Sequence, residues 1–189
     1  MRGTHIMTDI ETLGTSEGST IFQIAAAAFN MQTGEILGEI DLKLDIEKAN
    51  LKVDGSTLKW WLNTDKELLT SLLNEGNLSE IEMLTQFDEW VRQFESRRLW
   101  GNGILFDNNK IKVAMEKNGL QYPIPYNKDR DVRTILALAS DITGKSSKEI
   151  KQEVEDINHR AHDAIDDVHK QINFVRHCYK LLSQESIQK

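Results

Sequence analysis

The sequence predicts an α/β fold with a central mixed sheet flanked by helices, arranged as one domain over residues 1–189. Three observations predict it. Strand-like segments cluster in the first 44 residues, helical periodicity dominates from residue 56 onward, and one further short strand interrupts the helices near residue 99. That order suits a sheet built from an early meander and a later strand, with helices covering its faces. A chain of 189 residues is long enough for one compact domain burying roughly 70% of its unfolded surface, and too short for two ordinary ones.

Taken in order, His5, Ile6 and Met7 open a first strand that Asp9-Ile10-Glu11 closes. After the turn at Thr12-Leu13-Gly14, residues 21–29 form an apolar run suited to a buried strand, although its four alanines also allow a helix. Residues 36–44 alternate Ile36, Gly38, Ile40, Leu42 and Leu44 with polar positions, only Leu37 breaking the pattern, as a half-buried third strand would. These three strands read as an antiparallel meander. Ser56 is expected to cap a helix through Leu62, and Thr64 a second one from Glu67 to Leu73. Ser79 with Glu82 spells a capping box before Ile81, Leu84, Phe87, Val91 and Phe94, which recur at helical spacing. Residues 99–103 read as a short strand entering a glycine turn, followed by an amphipathic helix through Ile111, Val113, Ala114 and Met115. Pro123 and Pro125 mark a loop. A helix from Val132 through Ile142 ends at Gly144. Residues 145–161, highly charged and poor in apolar periodicity, read as a mobile, exposed connector with one short helix, suited to act as a lid. The last helix carries Ala164, Val168, Ile172, Val175, Tyr179 and Leu182 on one face.

Composition narrows the function classes. A hydrophobic content of 39%, four Trp and only two Pro describe a packed globular protein rather than a disordered one. No stretch approaches the roughly 18 apolar residues of a membrane helix, and Asp9 and Glu11 interrupt the N-terminal stretch before a signal-peptide core could form. The expectation is a soluble, cytoplasmic protein with no membrane partner. Cys178 alone makes neither an internal disulfide nor a thiolate cluster and reads as a small apolar residue on a helix, so any metal must be held by oxygen or imidazole. A net charge of −7 argues against wrapping duplex nucleic acid through a broad basic face. It does not exclude nucleic acid, because carboxylates loaded with divalent cations become locally positive and can grip one phosphodiester. The basic groups at Arg97-Arg98, at Lys110, Lys112 and Lys117, and at Lys128, Arg130 and Arg133 read as solvated faces.

The strongest functional signal is an ordered set of five residues: Asp9, Glu11, Asp107, His162 and Asp167. Residues two apart on a strand share a face, and two carboxylates on one face repel unless a cation lies between them. Asp9 and Glu11 therefore point to a hard-cation site. A second Asp-x-Glu, at Asp45 and Glu47, precedes Lys48 and a polar stretch, and reads as a solvated strand end.

Asp9-Ile10-Glu11-Thr12-Leu13, then Asn102-Gly103-Ile104-Leu105-Phe106-Asp107, then His162-Asp163-Ala164-Ile165-Asp166-Asp167 resembles the three motifs of the DnaQ-like DEDDh superfamily of 3′-5′ exonucleases. The second and third motifs are the specific ones, and together the three span nearly the whole chain. Trp60-Trp61 with Leu58 and Lys59, and residues 129–134, are similar to segments of the phage- and prophage-type branch that includes exonuclease A and 3′-5′ exoribonuclease-like proteins. The tyrosine variant of the superfamily is disfavoured, since Tyr179 has no Asp four residues later. The resemblance implies a ribonuclease-H-like fold and removal of nucleoside 5′-monophosphates from single-stranded DNA or RNA 3′ ends. It further implies that Asp9, Glu11, Asp107 and Asp167 hold two Mg²⁺ or Mn²⁺ ions about 3.5 to 4 Å apart, with His162 as general base. Histidine's ordinary titration near neutral pH suits that task. Thr12, Leu13 and Asn102 would meet the substrate, and Phe106 would either stack on a base or pack inside the core.

Geometry requires His162 to precede the last helix, because positions five apart on a continuous helix point about 140° from one another. Two alternatives stay open: His159 and His162 have the spacing of a zinc pair, and Asp163 or Asp166 could replace Asp167. Trp60 and Trp61 cannot both face inward on one helix, which leaves one as a rim residue, a base platform or a partner patch. Retention of all five residues disfavours a non-catalytic module that binds nucleic-acid ends or proteins on the same fold. The His-x-Ala-x-x-Asp motif disfavours an internally cutting endonuclease. DNA versus RNA is undecided, and homodimerisation is left open.

Overall fold

A computed structural model describes residues 4–154 and 160–185, the last two of these by backbone alone. Its elements are β1 (His5–Thr12), β2 (Ile21–Phe29), β3 (Ile36–Lys43), α1 (Gly55–Thr64), α2 (Lys66–Glu75), α3 (Glu80–Arg92), β4 (Arg98–Gly101), α4 (Asp107–Lys117), β5 (Asp129–Asp131), α5 (Val132–Thr143), α6 (Ser147–Gln152) and α7 (Ala164–Glu185). The sheet order is β3-β2-β1-β4-β5. β1 to β3 form the expected antiparallel meander, while β4 and β5 run parallel to β1.

Side-chain alternation explains the two helical layers. The alanine-rich β2 is buried at every position, and it splits by parity. Phe22, Ile24, Ala26 and Ala28 join Ile6 and Ile10 of β1 in a core with Trp61, Leu69, Leu84, Phe87, Ile111 and Met115. Ala25, Ala27 and Phe29 join Met7 in a second core with Val132, Val168, Ile172 and Val175. One face of the sheet is thus covered by α1 to α4 and the other by α5 and α7. The small alanines let α7 lie close to the strands, and the odd positions of β1, including Asp9 and Glu11, share its face. The run is a strand because both of its faces meet a helical layer, a condition that alanine's helix propensity does not override.

Several local expectations shift by a residue or change role. α1 begins at Gly55 after Asp54, not after Ser56, and Asp54 makes no capping bond because its carboxylate is drawn across to the loop after β1. Asp65, not Thr64, caps α2 by accepting from Leu68 N at 2.8 Å. The Ser79–Glu82 capping box on α3 forms as read, and Leu84, Phe87 and Val91 are buried as expected; Ile81 is exposed and Phe94 lies past the helix end, and Met83 joins the buried stripe. Gly144 ends α5 with a left-handed φ of 70°. Arg97 is not a solvated cation: its guanidinium donates to the carbonyls of Pro123 and Phe94.

β5 was absent from the sequence expectation, because Asp129-Arg130-Asp131 carries no apolar alternation. Its polar side chains do the work that apolar ones do elsewhere. The connector holds the expected short helix, α6, capped by Ser146 and Glu149, but Ile150 is buried against Leu136, Ala139 and Cys178, so this part is packed rather than loose. Residues 155–159, with His159, lie outside the described residues. Among the described residues, no helix is long and apolar enough to cross a membrane.

Candidate metal centre

Three chain segments meet at the C-terminal end of β1. The first is β1 itself, whose pairing with β2 shifts register between Glu11 and Thr12. A bulge of this kind re-aims side chains at a strand end. The backbone beyond it is tied down by Trp61, whose indole Nε1 donates to Thr12 O at 3.1 Å, and by Thr12 Oγ1, which donates to Gly14 O at 2.8 Å. Asp54 accepts from Thr15 N (2.7 Å) and Ser16 N (3.0 Å). Lys110, read from sequence as solvated, is in fact buried: its Nζ donates to Gly14 O at 3.2 Å and Ser16 O at 2.7 Å, and lies 4.9 Å from the Phe106 ring centroid. A carboxylate and an ammonium thus clamp opposite polarities of one loop. Lys110→Met is expected to leave both carbonyls without that donor and to cost about 2–4 kcal/mol, read from the denaturant midpoint at constant slope.

The second segment is the turn from β4 into α4, which places Asp107 in the first helical turn, buried. Asp131 accepts from Ile104 N at 3.1 Å, and Asn108 Nδ2 donates to Asp129 Oδ1 at 2.7 Å, so β5 holds the turn from outside. Gly103 adopts φ 117°, and Gly101 has no room for a side chain: a Cβ there would sit 2.3 Å from Asn108 Oδ1.

The third segment is the approach to α7. His162 precedes the helix, as its spacing from Asp167 requires, with a left-handed φ of 69°. Non-glycine residues rarely adopt that conformation, and it is held here by a hydrogen bond from His162 N to Asp167 Oδ2 at 3.0 Å. The ring packs edge-on against Trp60 (centroids 4.8 Å apart) and, farther away, Trp61 (6.1 Å). Trp61 is 1% exposed and Trp60 43%, so the tryptophans divide between core and rim as their spacing demands. Gln23 anchors the same corner from β2, donating to Asp163 Oδ1 at 3.0 Å and accepting from Ala164 N at 3.2 Å.

One ligand atom from each of Glu11, His162 and Asp167 lies within 4.8 Å of the others. Asp9 and Asp107 join them electrostatically. Burial pushes Asp9 well above the usual carboxylate range, and the charges of Asp107 and Asp167 push the same way, against a hydrogen bond from Gln171 Nε2 at 2.7 Å. Burial and then the charges of Asp9, Asp167 and Asp107 push Glu11 up to about 10. Asp107 rises to about 7 through burial, opposed by a hydrogen bond from the Asn102 main chain and by Arg133. A group of carboxylates that cannot all ionise together is short of positive charge, and its hard oxygen donors fit a divalent cation of the Mg²⁺ or Mn²⁺ type. Asp163 and Asp166 are otherwise engaged, by Gln23 and by Arg160 N. His169 faces away, pairing with Glu39 at 3.2 Å.

Residues 4–179 match the family described as the 3′-5′ exoribonuclease Rv2179c-like domain. The chain belongs to that family. Members of this 3′-5′ exonuclease group are hydrolases, which accords with the DEDDh resemblance of the three motifs. No curated protein matches the chain. Among solved structures, the nuclease domain of 3′hExo, a DEDDh family member bound to rAMP, is similar at 14% identity and TM-score 0.63, covering 96% of this chain and 92% of that one. Exonuclease I is similar at 15% identity and TM-score 0.74, covering 99% of this chain and 43% of that one. A zinc-bound E. coli ExoI–ssDNA complex gives 15% identity and TM-score 0.71, over 100% and 43%. At these identities the likeness establishes the ribonuclease-H-like exonuclease fold. The chain spans less than half the length of the exonuclease I structures.

Of the residues expected to meet substrate in this Rv2179c-like domain, Thr12 and Leu13 are buried, Leu13 at 4% exposure within the core, and Phe106 is partly buried beneath Lys110. Asn102 stands at the turn below Asp107. The sequence reading missed Gln171, Gln23, Asp54 and Lys110. Each is an ordinary polar residue whose partner at this centre lies 38 or more positions away, so no local spacing reveals it.

Proposed function

We propose that the protein is a divalent-cation-dependent 3′-5′ exonuclease that removes nucleoside 5′-monophosphates from single-stranded nucleic acid. The observation that carries the reading is the convergence of Glu11, His162 and Asp167 within 4.8 Å, in the field of Asp9 and Asp107. Those four carboxylates would hold the cations. When bound, such cations lower the pKa of water and offset charge on the leaving 3′ oxygen.

The chain's own residues do the rest. His162 takes the proton of the attacking water, its ring orientation fixed by the Trp60 and Trp61 edges and its backbone by Asp167. Gln171 holds Asp9 in place from the second turn of α7. The loop clamped by Asp54 and Lys110 offers the main chain of Thr12 and Leu13 to the terminal nucleoside, which suits these residues better than side-chain contact because both side chains turn inward. The family description favours RNA, while a neighbouring structure holds ssDNA. Discriminating them needs a contact to the 2′-hydroxyl. The placement in the phage- and prophage-type branch rests on the segments around Trp60 and Asp129.

Oligonucleotides labelled at the 3′ or the 5′ end, as matched DNA and RNA, test the proposal in Mn²⁺. Immediate release of labelled mononucleotide from the 3′ label supports it. Tight binding without release would instead indicate an end-binding module, and internal products an endonuclease.

A further inference from the structure

α6 is short, and its position is fixed by one buried residue. Ile150 inserts among Leu136, Ala139 and Cys178, which sets the next residue, Lys151, against α7 with its Nζ 5.7 Å from the Phe174 ring centroid. Glu153 secures the same end by pairing with His177 at 2.8 Å. Between α6, α7 and the turn after β4 lies a pocket of about 650 Å³ whose walls include Asn102, Lys151, Asp167, Lys170 and Gln171. A volume of this size accommodates a nucleotide-sized ligand.

The pocket adjoins the carboxylate group directly. Asp167 belongs to both, and Gln171, which lines the pocket, donates to Asp9. Lys170 follows Asp167 by three residues on α7, about 4.5 Å along the helix axis. The Arg133 guanidinium stands beside Gly103, next to Asn102, where a Cβ added to the glycine would meet it at 3.1 Å. A protein of net charge −7 therefore gathers cationic side chains at the edge of a carboxylate cluster. One ligand satisfies both signs: a strand whose scissile phosphate meets cations held by the carboxylates and whose neighbouring phosphate meets the lysines. His162 and Trp60 approach Asp167 from the N-terminal end of α7, whereas the pocket lies along the following turns, past Lys170, Gln171 and Phe174.

We propose that this pocket is the subsite for the phosphate immediately 5′ of the scissile bond, with Lys151 and Lys170 as its cationic contacts. The inference rests on the exonuclease reading above. Its test compares a short oligonucleotide with the p-nitrophenyl ester of thymidine 5′-monophosphate, which has no upstream phosphate. In Lys151→Gln and Lys170→Gln, the ratio of kcat/KM on the oligonucleotide to that on the ester is expected to fall about tenfold for each lysine. The slope of log(kcat/KM) against log salt should shrink by about 0.7 per lysine. Arginine at either position should hold the wild-type ratio. A ratio unchanged in both glutamine variants, or one that arginine does not restore, overturns the subsite. Wild-type protein inactive on both substrates would instead remove the exonuclease reading, and the subsite with it.

Discussion

Asp167→Asn is expected to remove cation-dependent hydrolysis, lowering kcat by about 10³-fold or more while leaving the thermal transition within a few degrees of wild type. The carboxylate has two roles that this substitution separates. Its Oδ2 accepts from His162 N and so holds the left-handed turn before α7, and its charge is one of those that call for a cation. An asparagine oxygen can still accept that hydrogen bond, so the turn survives and only the charge is lost. His162→Ala gives the complementary result. The rate falls by about 10² to 10⁴, cation affinity changes by no more than a few-fold, and the pH–rate profile changes shape. Full activity of Asp167→Asn that EDTA still removes would reject the site, and an unaltered pH profile in His162→Ala would reject the base.

Glu11→Gln is expected to inactivate the enzyme and yet stabilise its cation-free fold. Glu11 is raised to about 10 in the folded chain against an ordinary value of 4.5. Between those two pH values the native state keeps a proton that the unfolded chain has released. Stability of the cation-free protein therefore falls as pH rises through that window, and below about 4.5 the penalty vanishes. Asp9 adds in the same direction. Glutamine keeps the shape and removes the titration, so at pH 7 to 8 without metal the variant should be more stable by about 1–3 kcal/mol, an increase in Tm of roughly 2–8 °C. Saturating Mg²⁺ should reverse the order, because a cation at 100 times its Kd stabilises wild type by about 2.7 kcal/mol. Calorimetric scans from pH 5 to 9 with EDTA or Mg²⁺ decide it. A cation-free Glu11→Gln that melts below wild type, or that shares its pH slope, would show that Glu11 does not sit in a field of like charge.

The residues themselves show which features could be read in advance. Parity along β1 and β2, the Ser79–Glu82 box and the glycine at 144 are encoded within a few positions, and each formed as its local chemistry requires. The cap positions at Asp54 and Asp65 moved because several adjacent residues can cap equally well and the choice depends on what else the carboxylate can reach. β5 was illegible because it is a three-residue strand paired through its main chain to β4, with Asp129 and Asp131 holding Asn108 and Ile104 in place of apolar alternation. Lys110 looked solvated because nothing near it in sequence announces carbonyls 94 and 96 residues away.

The amino-acid order by itself determined the layered α/β architecture and singled out five polar residues as candidates for one site, because periodicity and motif spacing are properties of neighbours along the chain. Only the tertiary structure decided that Gln171 and Gln23 hold the acidic group together, that Trp60 rather than Trp61 stays at the rim, and that lysines border the site. Those outcomes depend on which distant polar atoms packing brings within hydrogen-bonding reach. A buried donor or acceptor is satisfied by whatever partner the fold supplies, and the fold is settled by apolar burial summed over the whole chain.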